Sequence, residues 1–116
     1  MDHRVREVIR FMNDNLHRRL SVRDLAGSVY LSPSHLGQLF KEQTGTSMAR
    51  YLRELRLLRA KELLETTFLS VKQIAANVGI GSASHFATDF KKAYGSRPSE
   101  YVSRGSRTAR KNHQIR

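Results

Sequence analysis

Apolar residues in the stretch 70–101 recur at helical spacing. The first set lies at i, i+3, i+4 and i+7 and predicts one apolar face of a short helix: Val71, Ile74, Ala75 and Val78. Gly79 follows, and glycine adopts the left-handed conformation past a helix end without steric cost. Ser82 is a suitable N-cap for a second helix, whose buried side we expect to carry Phe86, Phe90 and Ala93. Two short helices joined by a tight turn predict a helix-turn-helix.

The same pattern occurs once earlier in the chain. Residues 21–31 align with residues 70–80, and after one extra residue, Gly81, residues 32–51 align with residues 82–101. Because Tyr30 stands where Gly79 stands, either Tyr30 accepts a strained backbone or the first turn has a different geometry. The chain is therefore predicted to contain a duplicated helix-turn-helix module.

Three further helices complete an all-α fold of about seven helices, with two modules of the homeodomain-like, three-helix type. Residues 2–16 predict an amphipathic helix capped by Asp2. Residues 47–64 contain no Gly or Pro and predict a long helix capped by Ser47, with apolar coverage from Leu52, Leu55, Leu58 or Ala60, and Leu63. Residues 98–102 can add one more turn. At 1.5 Å per residue, a linker helix of about 18 residues spans roughly 27 Å and would hold the modules at a fixed separation.

The predicted domain organisation follows from these elements. Residues 1–46 form the first helix-turn-helix module, residues 47–65 the linker helix, and residues 66–103 the second module. Residues 104–116 carry many charges and no hydrophobic period, so we expect a basic disordered tail.

The charge balance indicates a polyanionic partner. The chain has 21 Lys and Arg against 10 Asp and Glu, a formal net charge of +11. Each phosphate that a basic protein neutralises releases counterions, which favours binding. A basic bias without function is the plainer explanation, and five of the cations lie in the predicted tail: Arg104, Arg107, Arg110, Lys111 and Arg116.

Catalysis, metal binding and membrane insertion find little support. There is no cysteine, no apolar run approaches a membrane span, and the five histidines show no metal-ligand spacing. Ser34–His35 and Ser84–His85 are chain neighbours that would point about 100° apart on a helix, so they form no serine–histidine dyad. We expect no enzyme activity, no cofactor, no metal site, and a cytoplasmic protein.

The second helix of each module carries the candidate DNA contacts. In helix-turn-helix proteins this helix lies in the major groove, with its N-terminal residues at the base edges. The predicted base-contacting residues are Ser34, His35, Gly37 and Gln38 in the first module, and Ala83, Ser84, His85 and Thr88 in the second. The predicted phosphate-contacting residues are Ser32, Lys41, Ser82, Lys91, Lys92 and Arg53.

Structural explanations compete at several of these positions. Ser34 and Ser84 could only satisfy free backbone amides at a helix start, and His35 and His85 could pack near the turn. The arginines of the linker helix could simply be a solvated face. Asp89 is unfavourable beside phosphate, so we expect it to pair with a lysine or to face away from DNA.

Residues 74–101 resemble a known family. The pattern I-A-x-x-V-G-[FI]-x-S-x-S-x-F-x-x-x-F-K-K-x-x-G-x-x-P-S-x-Y resembles the second module of AraC/XylS-type transcriptional regulators, and residues 25–64 resemble the first module and connecting helix. The resemblance covers about residues 4–103. It implies a seven-helix, two-module domain that binds promoter DNA, usually as an activator in contact with RNA polymerase. Members often carry Arg at the positions of Gln38 and Thr88, so base preference stays open.

The resemblance and the repeat together suggest a mechanism. Two recognition helices on one chain would enter successive major grooves on one face of double-stranded DNA, at an asymmetric site. A monomer would suffice, and a sensor or dimerisation domain would lie elsewhere in a longer protein. The main alternative is a helical protein-interaction adaptor whose basic faces bind an acidic partner; a non-specific RNA or nucleoid binder is a third hypothesis.

Overall fold

The computed structural model describes residues 1–101, and this part of the chain is helical and contains no strand. Its helices are α1 His3–Asp14, α2 Val22–Gly27, α3 Pro33–Thr44, α4 Met48–Thr66, α5 Val71–Asn77 and α6 Ala83–Tyr94. Residues 98–101 form a further helical turn. The predicted all-α fold with about seven helices is confirmed. The predicted tail, residues 104–116, lies outside the described residues.

Side-chain caps fix where the helices begin. Asp2 accepts a hydrogen bond from the backbone N–H of Arg4 (2.7 Å), and Ser47 accepts one from Arg50 (3.2 Å), as predicted. The short helices α2 and α5 each begin with a reciprocal capping box, Ser21 with Asp24 and Ser70 with Gln73. Such caps matter most in α2 and α5, since helices of six or seven residues are not stable on their own.

Both modules make the same turn between their short helices. Tyr30 has a φ of 59° and Gly79 a φ of 76°. The next residue closes each turn: the N–H of Leu31 bonds the carbonyl of Ala26 (3.1 Å), and that of Ile80 bonds Ala75 (2.9 Å). Of the two possibilities for Tyr30, the strained left-handed backbone is therefore the correct one.

The described chain divides into two compact units, with the boundary between Leu55 and Arg56, inside α4. The core of the first unit gathers α1, α2, α3 and the first half of α4. Its most buried residues are Val5, Val8, Met12, Leu25, Ala26, Leu36, Phe40, Met48 and Leu52. Tyr51 packs edge-on against Phe40, with ring centroids 5.2 Å apart.

The second unit has a separate core of the same plan. Its buried residues are Leu57, Ala60, Leu64, Ile74, Ala75, Val78, Phe86 and Phe90. Tyr94 and Tyr101 pack against the Phe90 ring, at centroid distances of 4.8 and 5.7 Å. The prediction for Ala93 was wrong: it is exposed, and the neighbouring Tyr94 occupies the half-buried position instead.

Helix α4 contributes to both cores. Of the two residues that the sequence left open, Ala60 is fully buried and Leu58 is 47% exposed. Leu57 and Leu64, which the apolar pattern did not single out, are buried. Among the described residues, no helix has the length and apolar character needed to cross a membrane.

Candidate nucleic-acid interface

The two predicted recognition helices, α3 and α6, present matching surfaces. At every position of residues 33–51, the side chain has the same degree of burial (buried, half-buried or exposed) as its equivalent in residues 83–101. The match extends through the glycine C-caps, Gly45 and Gly95, whose φ angles are 80° and 81°. The duplication seen in the sequence is therefore a duplication of exposed surface as well as of core.

The predicted base-contacting residues lie on the open side of these helices. All of them are exposed except Gly37, which is half-buried. The opposite side of each helix is anchored in its core by a pair of fully buried side chains, Leu36 and Phe40 in α3, and Phe86 and Phe90 in α6. The anchors are therefore inaccessible to a partner, whereas the candidates are accessible to one. His35 and His85 are exposed, which disfavours the explanation that they pack near the turn.

Ser32 and Ser82 are the N-caps of the two helices. The Ser32 hydroxyl accepts a hydrogen bond from the backbone N–H of His35 (3.1 Å), and Ser82 accepts one from His85 (3.3 Å). A capping hydroxyl uses its oxygen as acceptor and keeps its own proton for another acceptor, such as a phosphate oxygen. These serines thus fill the capping role, which disfavours the explanation that Ser34 and Ser84 only satisfy free backbone amides.

Thr88 and Gln38 occupy equivalent positions but differ in their free polar groups. The Thr88 hydroxyl donates to the backbone carbonyl of Ser84 (3.0 Å). Its oxygen lone pairs remain available, so in this rotamer Thr88 can accept but not donate. The exposed amide of Gln38 forms no hydrogen bond within residues 1–101 and offers both a donor and an acceptor.

Four of the predicted phosphate contacts are exposed cations: Lys41, Lys91, Lys92 and Arg53. Other cations of the described chain are held in ion pairs, among them Arg50 with Glu54 (3.2 Å) and Arg59 with Glu62 (3.1 Å). None of the four forms an ion pair within residues 1–101. They are therefore available to an external anion.

Of the two expectations for Asp89, the pairing with a lysine is not found within residues 1–101. Asp89 is half-buried on α6. Its equivalent in the first unit is Leu39, which packs against the core there. Asp89 thus occupies a position that the fold uses for partial burial, between the exposed Thr88 and the buried Phe90.

A groove of about 800 Å³ lies beside α6 in the second unit. It is lined by Ser84, Thr88, Lys91 and Lys92 from the predicted site, and also by Arg97 and Ser99 from the following turn. Arg97 was not among the predicted contacts, because a residue before proline is interpreted first as a helix end. A comparison of the two copies would have marked it, because an arginine stands where the first copy has Ser47.

Two acidic groups at helix starts have lowered pKa values. Hydrogen bonds from Arg4 hold the pKa of Asp2 below its ordinary value, and hydrogen bonds from Ser21 do the same for Asp24. Both shifts belong to capping and not to chemistry on a substrate. Within residues 1–101, no group of His, Asp and Glu side chains is arranged to hold a metal ion.

Comparison with known proteins identifies the family. A family model described as a helix-turn-helix domain matches residues 25–104. The arabinose operon regulatory protein of Escherichia coli K12 is 37% identical over 102 residues, which are 87% of this chain and 35% of the relative. The chain spans about a third of the length of the curated relatives that it matches.

Solved structures agree with the fold. The DNA-binding domain of AdpA, a global transcriptional factor solved in complex with a target DNA, superposes with a TM-score of 0.83 at 29% identity, covering 88% of this chain and 92% of that one. An AraC-type transcriptional regulator from Chromobacterium violaceum gives a TM-score of 0.81 at 34% identity, with 86% and 89% covered. These relatives are transcriptional regulators, and they lend no support to the adaptor hypothesis. The chain belongs to the AraC-type family of helix-turn-helix DNA-binding domains of transcriptional regulators.

Proposed function

We propose that α3 and α6 are the two recognition helices of this domain and that each enters a major groove of promoter DNA. The observation that carries the proposal is the position-by-position match in exposure between residues 33–51 and 83–101. Since both helices expose one side of their first two turns and bury the opposite side, each can present its N-terminal residues to base edges.

The base edges are contacted in one groove by Ser34, His35, Gly37 and Gln38, and in the other by Ala83, Ser84, His85 and Thr88. Gln38 can make the bidentate contact to adenine that its free amide allows. Because Gln38 and Thr88 differ in hydrogen-bonding capacity, the two half-sites differ in sequence, and the whole site lacks palindromic symmetry. Lys41, Lys91, Lys92 and Arg53 contact phosphates, joined by the free protons of Ser32 and Ser82.

The setting of this activity is a bacterial transcriptional regulator, acting as an activator in contact with RNA polymerase and located at the nucleoid. The described chain binds as a monomer, and a sensor or dimerisation domain belongs to the longer protein. These statements rest on the resemblance of residues 4–103 to the AraC/XylS-type regulators.

Selection of binding sites from a random pool of duplex DNA, followed by chemical protection of a selected site, tests the proposal. We expect one recurrent asymmetric sequence, protected in two patches about one helical turn apart on one face of the duplex. Uniform protection with no recurrent sequence would mean non-specific binding. Failure to bind any duplex at low salt would reject the DNA-binding function.

A further inference from the structure

The two units differ in charge at equivalent surface positions beside the recognition helices. In the second unit the groove along α6 carries Lys91, Lys92 and Arg97, and no acidic residue lines it. In the first unit the equivalent positions are Lys41, Glu42 and Ser47. The second unit thus places three cations where the first has one cation and one anion.

The residues at these three pairs of positions are exposed in both units. Lys92 and Glu42 are both exposed, as are Arg97 and Ser47. Ser47 is also committed to its helix, because its hydroxyl caps α4 at Arg50 (3.2 Å). Within residues 1–101, neither Lys92 nor Arg97 forms an ion pair that would satisfy its charge. The charges of Lys92 and Arg97 are therefore available to a partner, because no ion pair within the described residues neutralises them.

The groove is open along the side of α6 that holds Thr88, a predicted base contact, and Lys91, a predicted phosphate contact. A duplex whose major groove receives α6 carries its phosphates along the flanks of that helix. The cations that line the groove, including Arg97 of the turn after α6, then meet those phosphates. Arg97 suits this role since its planar guanidinium binds phosphate oxygens bidentately.

We propose that the groove of the second unit is a phosphate-binding subsite for the DNA backbone, in which Arg97 acts together with Lys92. The second unit then supplies more of the salt-dependent binding free energy than the first, which has no equivalent of either cation. This inference rests on the proposed function, because it requires α6 to lie against a duplex.

The test uses the salt dependence of affinity. Log K falls linearly as log salt rises, and each lost phosphate contact lowers the absolute value of this slope by roughly one. On a duplex carrying the selected site, between 50 and 200 mM salt, we expect Arg97→Ala and Lys92→Ala each to lower this absolute value by about one and the double variant by about two. Arg59→Ala is the matched control: the same residue type, exposed, in the same unit, but outside the groove.

A variant that adds a cation to the first unit tests the charge difference between the two units independently. Glu42→Lys gives the first unit the residue of the second, and we expect it to raise the absolute value of the slope by about one. If the wild type binds its site selectively but Arg97→Ala and Arg59→Ala share one slope, the subsite is rejected while the proposed function stands. If binding shows no sequence preference but Arg97→Ala still lowers the absolute value of the slope, the subsite holds and base readout by the two helices is rejected. If the wild type binds no duplex, both proposals are overturned.

Discussion

The polar group that a recognition residue can still offer depends on bonds inside the protein. At equivalent positions, Gln38 has a free amide, whereas the Thr88 hydroxyl already donates to the Ser84 carbonyl. Thr88 can therefore accept a hydrogen bond only from base-edge donors, namely the amino groups of adenine and cytosine. Because of this hydrogen bond within the helix, Thr88 can contact fewer base-edge groups than a threonine whose hydroxyl proton is free.

Thr88→Val tests the contribution of the hydroxyl alone, because valine keeps the shape and the methyl group of threonine but lacks the hydroxyl oxygen. We expect a loss of about 1 kcal/mol on the selected site, the usual net value of one hydrogen bond, and no loss on random DNA. Gln38→Ala, which removes a bidentate contact, should cost about 1–3 kcal/mol on the selected site. Titration of both duplexes by fluorescence anisotropy measures the difference. An equal loss on both DNAs would show that Thr88 does not read a base.

Tyr30 has a strained backbone conformation that lowers the stability of the fold. It is 96% exposed and adopts a φ of 59°, in the region where an L-residue costs about 1–2 kcal/mol. Its equivalent, Gly79, adopts nearly the same conformation without that cost.

Tyr30→Gly should therefore stabilise the protein. Part of the relieved strain is offset because glycine loses more conformational entropy on folding, so we expect a gain of about 0.5–1 kcal/mol in the free energy of unfolding. The matched change Gly79→Ala should destabilise the second unit by about 1 kcal/mol, since alanine meets the strain that Tyr30 already bears. Urea unfolding followed by circular dichroism measures both. A Tyr30→Gly variant that is less stable than the wild type would mean that the tyrosine makes a stabilising contact.

At the scale of the element, sequence pattern was most reliable where local chemistry and tertiary packing coincide. The short helices could be predicted because serine caps, helical periodicity and terminal glycines agree, and the structure places the caps at Ser21, Ser32, Ser70 and Ser82. Helix α4 was harder. A helix that serves one core with Leu52 and another with Leu57 and Leu64 has no single apolar stripe, so its period did not distinguish buried from exposed leucines.

The stability that the two capping boxes contribute should depend differently on pH. Asp24 closes the box of α2 with a carboxylate whose pKa is lowered, first by the hydrogen bond from the backbone N–H of Ser21, whereas Gln73 closes the box of α5 with a neutral amide. A lowered folded-state pKa contributes stability that is fully present above the unfolded pKa of about 3.9. That stability is lost as pH falls through the lower, folded-state pKa.

We therefore expect the stability difference between the wild type and Asp24→Asn to favour the wild type near neutral pH and to shrink progressively below about pH 4. Comparing the two proteins at each pH cancels the titration of their other carboxylates. Gln73→Glu should introduce the same pH dependence into α5. Thermal unfolding across this pH range provides the measurement. A difference that stays constant with pH would show that the Asp24 carboxylate adds nothing beyond what an amide supplies.

For the whole molecule, the duplicated sequence predicts the fold better than it predicts the site. The repeat marked both cores and both exposed helix faces, because residues that return at the same register in both copies are constrained by the same packing. Arg97 was not predicted, because it lies at a position where the two copies differ. In addition, a position before proline is interpreted first as a helix end. The neutral Ser47 at the same register shows that the difference is in surface charge and not in fold.

The two cores share no residue, although α4 runs through both. Phe90 is fully buried and contacts three other aromatic rings of the second unit: Phe86, Tyr94 and Tyr101. Phe90→Ala should cost about 3–5 kcal/mol, a large fraction of the stability of so small a unit. The first core keeps all its contacts, so we expect the second unit to unfold at lower urea concentration while the first retains its transition.

Amide NMR spectra recorded along a urea titration distinguish the two units residue by residue. The equivalent variant Phe40→Ala should produce the opposite order, with the first unit unfolding earlier. On the selected DNA site, Phe90→Ala should lose the protected patch contributed by α6 and keep that of α3. A single transition that moves as a whole in both variants would mean that α4 couples the cores into one cooperative structure, and the loss of either aromatic anchor would then abolish both patches together.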